Sequence, residues 1–303
     1  MFYEPYKPKK KKRRGCFARL LRTTVWVAVV CVGVWLFTSG ALGDLLSSMG
    51  LSHVLPGSWT HVLLLGRDQT DEGVARTDSI MIASISSTGQ VKLTSVMRDM
   101  LVSIPGKGQQ KINAAYAFGG AELAMKTVSE AMGVNISRYV LIDFAGFADV
   151  IDAIGGVTVN VTKQEMNAMN RKKGHKLKAP GDVVLDGIQA LRYSRIRKLD
   201  SDYMRAGRQR EVLMSLLKRA RSEKNPLTLW SMGTTALSKM ETNMGIVQLG
   251  WMGTSVVLNG GELRQFRVPV DGTFDSGMRN GTWSIRANME KNRALWNTFI
   301  YSY

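Results

Sequence analysis

Residues 139–161 read YVLIDFAGFADVIDAIGGVTVNV, a stretch that alternates between two periodicities. Tyr139 to Phe144 is an apolar, β-branched run, which predicts a strand. Phe147, Val150, Ile151 and Ile154 follow at i, i+3, i+4 and i+7, the spacing of an amphipathic helix. Gly155-Gly156 stops that helix, and Val157 to Val161 alternates as a short strand. A strand, a helix and a strand in close succession place this segment in a layered α/β or α+β sandwich.

The same alternation extends outward. His61 to Gly66, Ser79 to Ile85 and Val91 to Val96 read as strands. Ser86-Ser87-Thr88-Gly89 reads as a hairpin turn with Gly89 at positive φ. Gly120 to Met132 reads as a helix capped by Gly133. Arg205 to Ala220 reads as a long helix, and 225–260 as further helix with Trp230 and Trp251 as core anchors. Residues 261–303 read as a strand, a loop and a final helix.

The N-terminal part has a different character. Residues 1–22 hold nine Lys/Arg and only Glu4, and 23–43 hold no charge. Twenty-one uncharged residues suffice to cross a bilayer core, and the dense basic flank places the N-terminus in the cytoplasm. The basic leader is long for a cleaved signal and no A-x-A site follows it, which favours an uncleaved anchor. The expected organisation is a basic tail (1–22), a transmembrane helix (23–43), a linker (44–59), a catalytic domain (60–224) and a C-terminal extension packed on it (225–303). Everything after Asp44 then lies outside the cell.

The formal net charge is +17, about half of it in the tail. Two cysteines, Cys16 and Cys31, rule out a disulfide scaffold or a cysteine-rich zinc site. An exported domain without cysteine points to a Gram-positive envelope. There is no P-loop, no G-x-S-x-G elbow and no HExxH.

Charged clusters sit at the expected strand ends: Gly66-Arg67-Asp68, Arg76-Thr77-Asp78 and Met97-Arg98-Asp99. A fourth runs from Arg192 to Arg197 and continues at Arg205 to Gln209. Each Arg–Asp pair alone is most simply a surface salt bridge. Their recurrence at successive strand ends gathers them on one rim, where ligands of α/β sheets bind. On the helix from Arg205, the apolar stripe Val212, Leu213, Leu216 and Ala220 continues N-terminally into Arg205 and Gln209, with Arg208 at its margin. Those side chains point inward, and buried guanidinium groups require anions. Arginine forks suit phosphate oxygens, and paired carboxylates suit a divalent cation on a pyrophosphate. Lys111 is a further candidate phosphate contact.

These residues resemble the LytR–CpsA–Psr family in order and spacing across about residues 60–220. The matching motifs are Leu63 to Gly66 with Asp68, Arg76 to Ser79, Arg98-Asp99, Lys111 to Tyr116 with Gly119-Gly120, Asp143-Phe144 with Gly146-Phe147, Gly155 to Val157, Leu185 to Gly187 with Tyr193, Arg195 and Arg197, and Arg208-Gln209. The resemblance implies a three-layer α-β-α sandwich around a central mixed sheet, preceded by one transmembrane helix. It implies an envelope phosphotransferase that moves an anionic glycopolymer, teichoic acid or capsular, from a polyprenyl-pyrophosphate carrier to peptidoglycan through a phosphodiester link. It implies Asp68 and Asp78 as ligands of Mg²⁺ or Mn²⁺. Arg76, Arg98, Lys111, Arg195, Arg197, Arg205 and Gln209 would contact the pyrophosphate. Arg98 and Asp99 would be catalytic, with Asp99 either orienting Arg98 or acting as base on the acceptor hydroxyl. The family has proline before the Arg-Asp pair, so Met97 is expected to loosen that turn. The competing readings are a transcriptional attenuator or a non-catalytic wall-polymer binder. An exported domain meets no nucleic acid, which weighs against the former.

Overall fold

The computed structural model describes residues 59–67, 77–196, 202–258, 261–279 and 281–302. The predicted transmembrane helix and the site residues Asp68, Arg76 and Arg197 lie outside the described residues. Among the described residues no helix is long and apolar enough to cross a membrane.

Strands β1 (Trp59–Arg67), β2 (Thr77–Ser86) and β3 (Val91–Val96) form where the apolar runs predict them. The β2–β3 turn carries Gly89 at φ 77°, and the Ser86 hydroxyl accepts the Gln90 N–H at 3.0 Å. A short hairpin follows, β4 (Leu101–Ile104) and β5 (Gly108–Lys111). Helix α1 (Ala114–Met132) begins earlier than its apolar spacing predicts. A kink at Gly119-Gly120 splits it, and Gly120 takes φ 64°, which favours glycine. Then come β6 (Arg138–Asp143), α2 (Phe144–Ala153), β7 (Val157–Val161), α3 (Lys163–Asn170), β8 (Gly181–Leu185), α4 (Gly187–Ser194) and α5 (Asp202–Ser222).

The C-terminal part comprises α6 (Pro226–Lys239), β9 (Met240–Thr242), α7 (Ile246–Leu258), β10 (Leu263–Val268), the hairpin β11 (Phe274–Arg279) and β12 (Thr282–Ala287), and α8 (Met289–Tyr301). The expected loop before the last helix is thus a hairpin. Asn280-Gly281 between two alternating runs is its sequence signal.

The central sheet has six strands in the order β10-β3-β2-β1-β6-β9. It is mixed: β1 pairs β6 and β3 pairs β10 in parallel, and the other pairs are antiparallel. Side-chain alternation sends Leu63, Leu65, Ile80 and Ile82 to one face, where they pack against α1 and Trp296 and Ile300 of α8. The opposite face presents Ala83 and Leu93 to Met214 of α5 and Val256 of α7. A second core joins α2, the β7–β8 hairpin, α4 and α5. Residues 225–303 contribute both edge strands of the sheet, β9 and β10, and the helix α8 beneath it.

Trp230 and Trp251, expected in the core, are 73% and 46% exposed. Leu229, Met232 and Ala236 take the inner face of α6, and Met252 and Val256 that of α7. Both helices are apolar on both sides, so periodicity left the inner face undecided. The core tryptophan is Trp296, whose indole N–H donates to Thr94 Oγ1 at 2.9 Å.

Candidate functional site

Sheet topology explains why charges converge. β2 runs against β1 and β3, while β6 runs with β1. The C-terminal ends of β1, β3 and β6 and the start of β2 therefore share one rim. In register, Arg67 faces Thr77 on one side and Asp143 on the other.

Arg98 is the centre of this rim. Its Nη1 donates to Asp78 Oδ1 at 2.5 Å, and its Nε lies 3.4 Å from Asp99 Oδ2. The other Asp99 oxygen meets Lys111 Nζ at 2.9 Å. The result is an alternating row of charges, Asp78–Arg98–Asp99–Lys111, assembled from β2, the end of β3 and the end of β5. All four side chains are partly buried, so these ion pairs are less screened than surface ones.

The backbone holds the row in place. Ile112 N–H donates to Met100 O at 2.8 Å, and Asn113 N–H to Arg98 O at 3.2 Å. Met97 N–H donates to Val268 O at 2.9 Å, and the Met97 side chain is buried. A proline at that position would have no N–H for this bond. The expected loosening of the turn is therefore offset by a hydrogen bond to β10 and by core packing.

Helix α5 brings the next residues. Arg205, 5% exposed, and Gln209 line a small cleft of about 20 Å³ with Asp78, Ser79, Ser95 and Arg98. Gln209 and Ser79 also line a second cavity, of about 260 Å³, whose walls are apolar. Leu64, Met81, Ile142, Phe147 and Leu213 give its character. A charged cleft thus abuts an apolar cavity, with Ser79 and Gln209 at the junction.

Arg195 reaches this mouth indirectly. It ends α4, and its guanidinium lies 4.3 Å from the centroid of the Phe144 ring, a cation–π contact. Phe144 lines the apolar cavity, while Arg195 itself borders a separate surface cavity with Ala168 and Ile196. The structure therefore unites Asp78, Arg98, Asp99, Lys111, Arg205 and Gln209, and sets Arg195 one aromatic ring away. Phe144 and Ser79 carry motif positions to which the sequence reading assigned no role.

Several other motif residues are structural. Asp143 caps α2, its Oδ1 accepting the Gly146 N–H at 2.7 Å. Asp186 caps α4 in a capping box with Gln189. Gly187 touches α2 so closely that a Cβ would sit 2.2 Å from Ala148 O. Arg208, 3% exposed, pairs with Glu165 at 3.2 Å and donates to Ile196 O at 2.9 Å, tying α5 to α3 and the end of α4. Tyr193 donates to Glu211 at 2.7 Å, and burial raises its hydroxyl pKa. Arg210, farther along α5, is lowered to about 10 by burial and by neighbouring Arg267.

For a cation, the described residues hold no group of three His, Cys, Asp or Glu side chains. Asp78 offers a hard carboxylate oxygen on the rim. Mg²⁺ typically takes one or two protein carboxylates and completes its shell with phosphate and water. Among the described residues this donor set suits a cation that a bound pyrophosphate would share, and not a cage of protein ligands alone.

Residues 51–300 match the LytR_cpsA_psr family. A Bacillus mycoides (strain KBAB4) protein named polyisoprenyl-teichoic acid–peptidoglycan teichoic acid transferase TagU is 37% identical over 187 residues, 60% of this chain and 60% of its own length. A Staphylococcus aureus (strain COL) protein named regulatory protein MsrR is 32% identical over 245 residues, 79% of this chain and 73% of its own. The solved structure of TagT bound to LIIa-WTA superposes with a TM-score of 0.68 at 26% identity, covering 80% of this chain and 90% of the other.

Proposed function

Because the chain belongs to the LytR_cpsA_psr family, we propose that it transfers an anionic glycopolymer, of teichoic acid or capsular type, from a polyprenyl-pyrophosphate carrier to peptidoglycan. The observation that carries this reading is the small cleft lined by Asp78, Arg98 and Arg205, which adjoins the apolar cavity through Ser79 and Gln209. A lipid pyrophosphate has the same two-part character: a charged group joined directly to a hydrocarbon chain. The names of the TagU and TagT relatives point the same way.

In this reading the acceptor hydroxyl of peptidoglycan attacks the phosphorus that bears the glycopolymer. The bond from that phosphorus to the bridging oxygen breaks, polyprenyl phosphate leaves with the hydroxyl proton on its departing phosphate, and the phosphodiester remains. Arg98, Arg205 and Lys111, with Arg76 and Arg197 from the sequence motif, take up charge on the pyrophosphate. Gln209 spans the junction between phosphate and first isoprene units. Arg195 stands one aromatic ring away from the cavity, against Phe144. Both Asp99 oxygens engage cations, so its role is to orient Arg98 and Lys111 rather than to accept a proton. Asp78 with Asp68 would hold Mg²⁺ or Mn²⁺, which supplies further neutralisation of phosphate charge when bound.

The proposed setting is the cell membrane. Residues 23–43 span it once, with the N-terminus cytoplasmic and the folded domain outside. The name of the MsrR relative keeps a regulatory reading in view. An alkaline phosphatase fusion at the C-terminus separates the two, since only an external domain gives enzyme activity. Native mass spectrometry of the detergent-solubilised protein is expected to show a polyprenyl phosphate or pyrophosphate adduct that Arg98→Ala weakens. An empty protein that takes up no added lipid pyrophosphate would contradict the transferase reading.

A further inference from the structure

From Pro226 to Gly261 the chain runs 36 residues with only two charges, Lys239 and Glu241. This stretch forms α6, β9 and α7, on the side of the sheet that carries the apolar cavity. Their outward faces are apolar in helical register. On α6 the exposed stripe is Leu227, Trp230 and Leu237, with Leu227 74% exposed. On α7 it is Val247, Trp251 and Leu258, beside Ile246. Soluble surfaces rarely expose so many large apolar side chains on two consecutive helices.

We propose that this surface seats in the outer leaflet of the bilayer and passes the polyprenyl chain into the apolar cavity. Three observations select lipid over a protein partner. Helix α6 is shared between patch and cavity: Ala236 lines the cavity with Met240 just beyond, while Leu227 and Trp230 face outward on the same helix. Tryptophan is the residue of bilayer interfaces, where its ring sits at headgroup depth. Lys224, exposed just ahead of α6, supplies a positive flank that anionic headgroups attract. The delivery role rests on the transferase reading above; the lipid contact does not.

The test uses the full chain with Cys16→Ser and Cys31→Ser, reconstituted in phosphatidylglycerol–phosphatidylethanolamine vesicles. An environment-sensitive fluorophore is attached to Trp230→Cys or Val247→Cys, and to Glu122→Cys on α1 as control. The first two labels are expected to be shielded from aqueous iodide and quenched by brominated lipid, and the control to be the reverse. Iodide access equal to that of the control would overturn the proposal. So would shielding without quenching by brominated lipid, which would assign the patch to a second copy of the chain. A Trp230→Ser/Trp251→Ser variant, judged folded by circular dichroism, is expected to lose about tenfold in transfer from a long-chain donor in vesicles. Transfer from a short-chain, water-soluble donor should be unchanged. Equal loss with both donors would overturn the delivery role. Failure of the wild type on both donors would overturn the transferase reading and leave the label result standing.

Discussion

His61 makes the folded domain sensitive to acid. It sits on β1 with its side chain buried against the α8 side of the sheet. Its Nδ1 is 2.8 Å from Ser84 Oγ, and its ring is 5.3 Å from that of Trp296. Burial lowers its pKa from 6.5 to about 4. Above pH 6.5 the imidazole is neutral in both folded and unfolded chains and adds no pH dependence. As pH falls below 6.5, the unfolded chain takes up a proton that the folded chain refuses, so stability drops. The loss is complete only below the folded value near 4. At about 1.4 kcal/mol per pH unit this amounts to about 3.5 kcal/mol in full, and about 2.5 kcal/mol by pH 4.5. His61→Gln retains a polar partner for Ser84 and cannot titrate. Urea unfolding of both proteins at pH 7.5 and 4.5 isolates the effect from the carboxylates common to both. The wild type should lose about 2.5 kcal/mol more than the variant. Parallel losses would mean that His61 does not set the acid sensitivity.

Other positions make equally direct predictions. Arg98→Lys keeps the charge but loses the fork that joins Asp78 and Asp99; transfer should fall about 10²–10³-fold with the unfolding midpoint little changed. Steady-state rates on lipid-linked donor and a thermal melt check this together. Lys92 is buried and donates to Phe299, Ile300 and Ser302 carbonyls at 2.8–3.0 Å, closing the C-terminus of α8. Lys92→Met leaves those acceptors without their donor and should cost about 2–3 kcal/mol in denaturant unfolding. Gly187→Ala forces a Cβ against Ala148 O and should destabilise by about 1–3 kcal/mol. Because α4 carries Arg195, the same variant should also lower transfer; unchanged stability would mean that α2 and α4 can separate freely.

Strand and helix order was legible because β1, β2, β3 and β6 are runs of branched apolar residues bounded by glycine or charge. The charged rim was legible because Asp78, Arg98 and Asp99 sit directly at strand ends, and because Arg205 and Gln209 extend an apolar helix stripe. What the chain concealed has physical causes. The outward faces of α6 and α7 are as apolar as their inward faces, so Trp230 and Trp251 gave no sign of exposure. β9 and β10 lie far along the chain from the strands they pair, and local pattern carries no information about such pairing. The β11–β12 hairpin did leave a signal in Asn280-Gly281. Motif residues were separated only by contacts: Asp143, Asp186, Gly187 and Arg208 hold the scaffold, while Arg98 and Arg205 face the cleft.

Glycopolymer transfer is measured by incubating the purified protein with a synthetic polyprenyl-pyrophosphate-linked glycopolymer, peptidoglycan and Mg²⁺. A new phosphodiester joining polymer to peptidoglycan is expected, with release of polyprenyl phosphate, and neither product from the Arg98→Ala protein. Binding of the donor without product, or undiminished product from Arg98→Ala, would contradict the transferase reading.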